Sequence, residues 1–174
     1  MISFIYEGVK YIRYDDCWCD EHYMTAPLCV QSVLDRQYAD SLDLKEYDSD
    51  ELLKLADEFK KNQSYHLAIR YYYEVIRRVD IDDCSYIYPR LSACYRKVGR
   101  AREAIELMTF LKNKFGVQSI SAVLLTSVAA AYCDLLEYDN ALKCANRAYV
   151  LMGKRTSPEL SLVYRRINSN MKTK

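Results

Sequence analysis

The sequence predicts an all-α fold: an α-solenoid of helix pairs, closed by a C-terminal capping helix and preceded by a short N-terminal β-hairpin arm. Three observations carry that expectation. The 174 residues include only 4 Gly and 3 Pro, too few turn-formers for a many-stranded fold. From about residue 50 onward apolar residues recur at helical spacing almost throughout. Three stretches then align without a gap, LLKLADEFKKNQSYHLAIRYYYEVI, YPRLSACYRKVGRAREAIELMTFL and LTSVAAAYCDLLEYDNALKCANRAYVL, as a repeated supersecondary unit would.

Taken in order, residues 1–47 read as an acidic arm and residues 48–174 as the helical repeat domain. In the arm, SFIYEGVKYIRY sets two β-branched and aromatic runs on either side of Glu7-Gly8, which is a hairpin signal. A two-stranded hairpin is marginal in water, so it must pack on helices or on another chain. Pro27 opens PLCVQSVLDRQYADSL, a short helix, and the acidic linker DLKEYDSD follows. Asp48 with Glu51 three residues later predicts a capping box at the start of the first repeat helix.

Within each aligned stretch an aliphatic residue (Leu55, Leu91, Val128) precedes a small one (Ala56, Ser92, Ala129). An aromatic comes three residues on (Phe59, Tyr95, Tyr132), then another small residue (Ala68, Ala104, Ala141). Ala68 to Ala104 is 36 residues and Ala104 to Ala141 is 37. Phe115-Gly116 ends the fourth helix and Gly153 the sixth. Ser157-Pro158-Glu159 restarts a last helix over about 158–171, whose Leu160, Leu162, Val163, Tyr164 and Ile167 cover the final apolar face.

This pattern resembles the tetratricopeptide repeat (TPR), with its L-G-x2-Y in the first helix and A-x3-F in the second, over roughly residues 50–152. Gly99 stands where that family places its inter-helix turn glycine, whereas Gln63 and Leu136 stand there in the other two repeats. The helix-B aromatic is Tyr72 in the first repeat, Met108 in the second and only Ala145 in the third, and the family tryptophan is missing from all three. The resemblance implies a groove for an extended peptide, lined by the first helix of each pair. It would show Asp57, Lys60 and Lys61 from the first repeat, and Tyr86, Arg90, Ala93, Arg96 and Lys97 from the second. Val123, Thr126, Ser127, Ala130 and Cys133 would line it in the third. The family's carboxylate-clamp subtype is not matched, because Leu53 and Asp57 occupy the places of its first Lys and Asn. The implied function is non-catalytic binding of a protein or peptide segment of acidic character.

Charge supports two faces. Residues 1–50 hold 4 Lys/Arg against 11 Asp/Glu, and the remainder 21 against 13, within an overall balance of +1. The acidic arm could therefore dock on a basic body, its own or that of a twin chain in a homodimer, occluding the groove. Basic residues spread over a solenoid lack the dense, aromatic-interleaved stripe of a nucleic-acid binder, so none is expected to bind. No signal-peptide core and no run of about 18 apolar residues occurs, which reads as a cytoplasmic protein with no membrane contact and with reduced thiols at all 7 Cys.

The one ligand-rich segment is DDCWCDEHY at residues 15–23. Cys17, Cys19, His22 and Cys29 would supply four zinc ligands, or the thiols of a redox-sensing arm. The paired spacing of first zinc ligands is absent, and C-x-C is not the thioredoxin-type C-x-x-C. The expectation is no metal and no cofactor, with Trp18 anchoring the arm to the repeats and the acids giving the arm its charge. An enzyme is not expected either: His22 and His66 are the only bases of their kind, no phosphate loop or nucleophile elbow occurs, and Asp15-Asp16 and Asp82-Asp83 fall in turns. Of Tyr71, Tyr72 and Tyr73, the repeat resemblance implies that Tyr72 is buried, and helix geometry leaves at least one of the others half exposed.

Overall fold

A computed structural model describes residues 2–14, 17–79 and 85–171; the acidic pairs Asp15-Asp16 and Asp82-Asp83, and Cys84, lie outside the described residues. The chain is mostly helical, with a small N-terminal sheet. It divides into two compact units, Met1–Val75 and Ile76–Lys174. The boundary expected between residues 47 and 48 is the loop after the first helix, inside the first unit.

In the first unit, β1 (Ser3–Tyr6) and β2 (Val9–Tyr14) pair antiparallel and close through Tyr6 opposite Val9. The intervening Glu7 and Gly8 have φ of 49° and 81°, the doubly left-handed turn that matches the twist of a tight hairpin. A third strand, β3 (Cys17–Cys19), then adds antiparallel to β2 in the order β1-β2-β3. The sequence reading expected a hairpin alone. Three residues carry too little alternation to announce a strand, and β3 is held instead by tertiary packing of Trp18.

The helix α1 (Leu28–Ser41) falls inside the stretch expected to be helical and starts behind Pro27 without a side-chain cap. Trp18 and Leu34 are fully buried between α1 and the sheet, with Ala26 beside them and Phe4, Tyr6, Tyr11, Val30 and Tyr38 packed around. The helix α2 (Ser49–Lys61) begins in the predicted capping box, the Asp48 carboxylate accepting from the Glu51 N–H at 2.8 Å and Glu51 returning to the Asp48 N–H at 3.2 Å. In α3 (Tyr65–Arg78), Tyr72 is fully buried and its hydroxyl donates to Asp57 on α2. Tyr71 is buried against the rings of Phe59 and Tyr47, and Tyr73 is half exposed, as helix geometry demands.

The second unit contains α4 (Ile87–Lys97), α5 (Ala101–Phe115), a 3-10 turn (Val117–Ser119), α6 (Ala122–Asp134), α7 (Tyr138–Leu151) and α8 (Pro158–Met171). Helix α4 packs on α5 and on α6, and α6 packs also on α5, α7 and α8, so α6 is buried nearly all round. Gly116 and Gly153 take left-handed φ after α5 and α7, and the Ser157 hydroxyl caps α8 by accepting from the Leu160 N–H at 3.1 Å. Leu160, Val163 and Ile167 of α8 are buried, while Leu162 faces out.

The repeat seen in the sequence has a backbone counterpart. Gln63, Gly99 and Leu136, the three turn positions of the alignment, all adopt left-handed φ, at 63°, 74° and 62°. The next N–H in each case donates to the carbonyl five residues back: Ser64 to Phe59, Arg100 to Tyr95 and Glu137 to Tyr132, at 2.8–2.9 Å. Those acceptors are the three aligned aromatics. The six aligned small residues are all at 0% exposure, so each hairpin crosses where no larger side chain fits.

Candidate functional site

On the second unit, α4 carries the expected basic side chains. Arg90 lies four residues after Tyr86, one helical turn on, and its guanidinium sits 5.1 Å from the centre of the exposed Tyr86 ring. Lys97 ends the helix and is exposed, where a cation suits the carbonyl end of the dipole. Arg96 points elsewhere: its Nε donates to Asp134 Oδ2 at 2.7 Å, linking α4 to the last residue of α6. Lys60 and Lys61 end α2 in the first unit, Lys61 exposed and Lys60 half-buried.

The third-repeat residues do not form an open face. Thr126, Ala130 and Cys133 are buried, and Ser127 shares a 2.9 Å hydrogen bond with the fully buried Ser92 of α4. Only Val123 is exposed, at the first turn of α6. Small residues that looked like groove lining let α4, α6 and α8 approach closely instead.

What the linear reading missed is a three-helix ion cluster. Asp134 Oδ1 lies 2.9 Å from an Nη of Arg166 on α8, while its Oδ2 holds Arg96 from α4. One carboxylate thus faces two guanidinium groups. Cys133, buried beside it, has its thiol pKa pushed up chiefly by burial; Arg166 and Arg96 oppose that shift and Asp134 adds to it. The partners are 38 and 32 positions apart, about one repeat each way, and only that period could have hinted at the meeting.

In the first unit, the structure separates the four possible zinc ligands. Cys17 and Cys19, two apart on one strand, share a face with sulfurs 3.8 Å apart. His22 and Cys29 are exposed, and His22 lies 3.7 Å from Glu21. Among the described residues no group of three His, Cys, Asp or Glu could hold a metal ion. Trp18 turns to the opposite face, where its indole N–H donates to Asp35 at 2.8 Å. The same Asp35 oxygen lies 3.0 Å from Arg13, whose guanidinium rests over the Trp18 and Tyr38 rings at 5.6 and 4.7 Å. Trp18 therefore ties the sheet to α1, inside the arm, and not the arm to the repeats as expected. His66 Nε2 meets Ser32 Oγ at 3.0 Å, tying α3 to α1.

Among the described residues, no helix is long and apolar enough to cross a membrane. What the geometry defines is a mostly helical protein of repeated helix hairpins with a small N-terminal sheet. Residues 33–143, more than half of the chain, match the ST7 protein family, and the chain belongs to that family. No curated protein matches the sequence, and no solved structure matches it either.

Proposed function

We propose that the chain is a non-catalytic interaction module, an α-solenoid of TPR-like helix pairs that binds an acidic protein or peptide segment in its concave groove. The observation that carries the reading is the Arg90–Tyr86 stack on α4, a cation fixed over an exposed aromatic. It lies in a unit with 17 Lys/Arg against 9 Asp/Glu. Such a pair is a low-entropy anchor for a carboxylate-bearing ligand. Lys97 adds charge at the end of the same helix, and Arg96 belongs to the same basic set. The common turn at Gln63, Gly99 and Leu136 supports the repeat reading. Cytoplasmic localisation is part of the proposal.

Fluorescence anisotropy with a labelled hexaglutamate peptide tests this. Arg90→Gln with Lys97→Gln is expected to weaken binding about tenfold or more, since hydrogen bonds to charged groups are the strong ones. Parent binding should weaken as salt is raised, and the gap between parent and variant should narrow. Absence of any binding at low salt sinks the proposal.

A second reading is self-association through the arm. It is favoured by the apolar exposure of Ile5 at 70%, Tyr23 at 75% and Met24 at 67% in a first unit with 8 Lys/Arg against 15 Asp/Glu. Sedimentation velocity of the full chain and of the Tyr23→Ser, Met24→Ser variant checks it; a monomer at every concentration in both removes it.

A further inference from the structure

We propose that Arg96 and Arg166, held together by Asp134, form a subsite that grips one carboxylate of an acidic partner peptide on the second unit. The inference deepens the peptide-binding reading and rests on it.

Helix stability alone asks for less than the structure supplies. Asp134 is the last residue of α6, where exposed carbonyls disfavour a carboxylate. One cation at 2.7 Å, Arg96, already offsets that cost. Arg166 from α8 is a second cation on the same carboxylate, so the cluster carries a surplus of one positive charge. One carboxylate would neutralise it.

The donors are also left over. A guanidinium presents five N–H groups in a fixed plane, suited to taking a carboxylate two at a time. Asp134 holds Arg96 through Nε and Arg166 through a single Nη. Among the described residues neither guanidinium has another ion-pair partner. Both side chains are within reach of a ligand, at 25% and 44% exposure. Asp134 restrains two long side chains before the ligand arrives, which lowers the ordering cost of binding. Lys97, next to Arg96 in sequence, adds attraction without competing for Asp134.

The test uses the full chain and the labelled hexaglutamate peptide, with Arg166→Gln, Asp134→Asn and Arg165→Gln compared with the parent. Thermal melts by circular dichroism show that each variant is folded at the titration temperature. Arg166→Lys, which keeps the charge and loses the planar fork, serves if the glutamine variant is not folded. The expected result is about tenfold weaker binding for Arg166→Gln and for Asp134→Asn, and a smaller weakening for Arg166→Lys. Arg165→Gln, the neighbouring exposed arginine, should stay within about twofold. Asp134→Asn is decisive, because it makes the surface more positive. Diffuse attraction predicts tighter binding and a preorganised clamp predicts weaker, so a tighter Asp134→Asn complex overturns the proposal. If Arg166→Gln and Arg166→Lys bind like the parent while the Arg90→Gln, Lys97→Gln variant weakens, the clamp falls and the broader peptide-binding reading stands. If the parent does not bind, both fall.

Discussion

The sheet in the first unit closes on its helix around one indole, whereas the helices of the second cross one another on small residues. In Met1–Val75 the sheet meets α1 through Trp18, whose N–H and the Arg13 guanidinium converge on a single Asp35 oxygen. In Ile76–Lys174 the helices meet through Ser92, Ala104, Ala129 and Ala141, all at 0% exposure. The difference follows from what each must join. Strands and a helix of unlike shape leave an irregular gap, which a large ring with a polar edge fills and a directional bond orients. Repeated helix pairs of like shape leave a narrow, regular gap that only small side chains fit.

Substitutions that attack one chemistry and spare the other sharpen the contrast. Trp18→Ala should have the largest effect, about 3–5 kcal/mol of lost stability, since it empties the first core and leaves Asp35 without its indole partner. Native-state hydrogen exchange should show α1 amides losing protection while α6 amides keep theirs; equal losses in both would make the units one cooperative body. Ala129→Leu attacks the second unit by overpacking and should cost about 1–3 kcal/mol, with protection lost in α6 and α7 instead. Asp35→Asn keeps an acceptor for the Trp18 indole but removes the ion pair with Arg13, and should cost about 1–2 kcal/mol by urea denaturation.

Leu136→Gly works in the opposite direction. Leu136 is 72% exposed and held at φ 62°, so it loses little packing and relieves a left-handed strain. A gain of about 1 kcal/mol is expected, where the same change at a right-handed helical position would destabilise. The smallest effect is chemical. Burial raises the thiol pKa of Cys133 and Cys144, keeping both more protonated near neutral pH than an ordinary thiol, so they should alkylate slowly and speed up as pH rises. Exposed Cys29 should be modified before either of them, as mass spectrometry of partially labelled protein can show.

How far the sequence spoke depended on whether the information was local. The Glu7-Gly8 turn, the Asp48–Glu51 capping box, the Ser157-Pro158 start and the periodic small residues are choices made within a few residues or at a fixed period, and each is found where expected. Strand β3 was not legible, because three residues carry too little alternation to announce a strand and take their structure from packing of Trp18 on α1. At the candidate site, the Arg90–Tyr86 stack follows from one helical turn. Arg166 joins Asp134 only because α8 folds back on α6, and the burial of Thr126, Ala130 and Cys133 follows from the same stacking. The helical hydroxyl and alanine pattern told of close approach but not of which surface stayed open.

Trp18 is the single tryptophan among 17 tyrosines, and it sits wholly inside the first unit with its indole N–H fixed on a carboxylate. Excitation at the red edge of aromatic absorption therefore interrogates one half of the molecule, while far-ultraviolet circular dichroism registers helices of both. Two denaturation curves that part company would time the opening of the sheet-bearing half against the repeats, with no label attached.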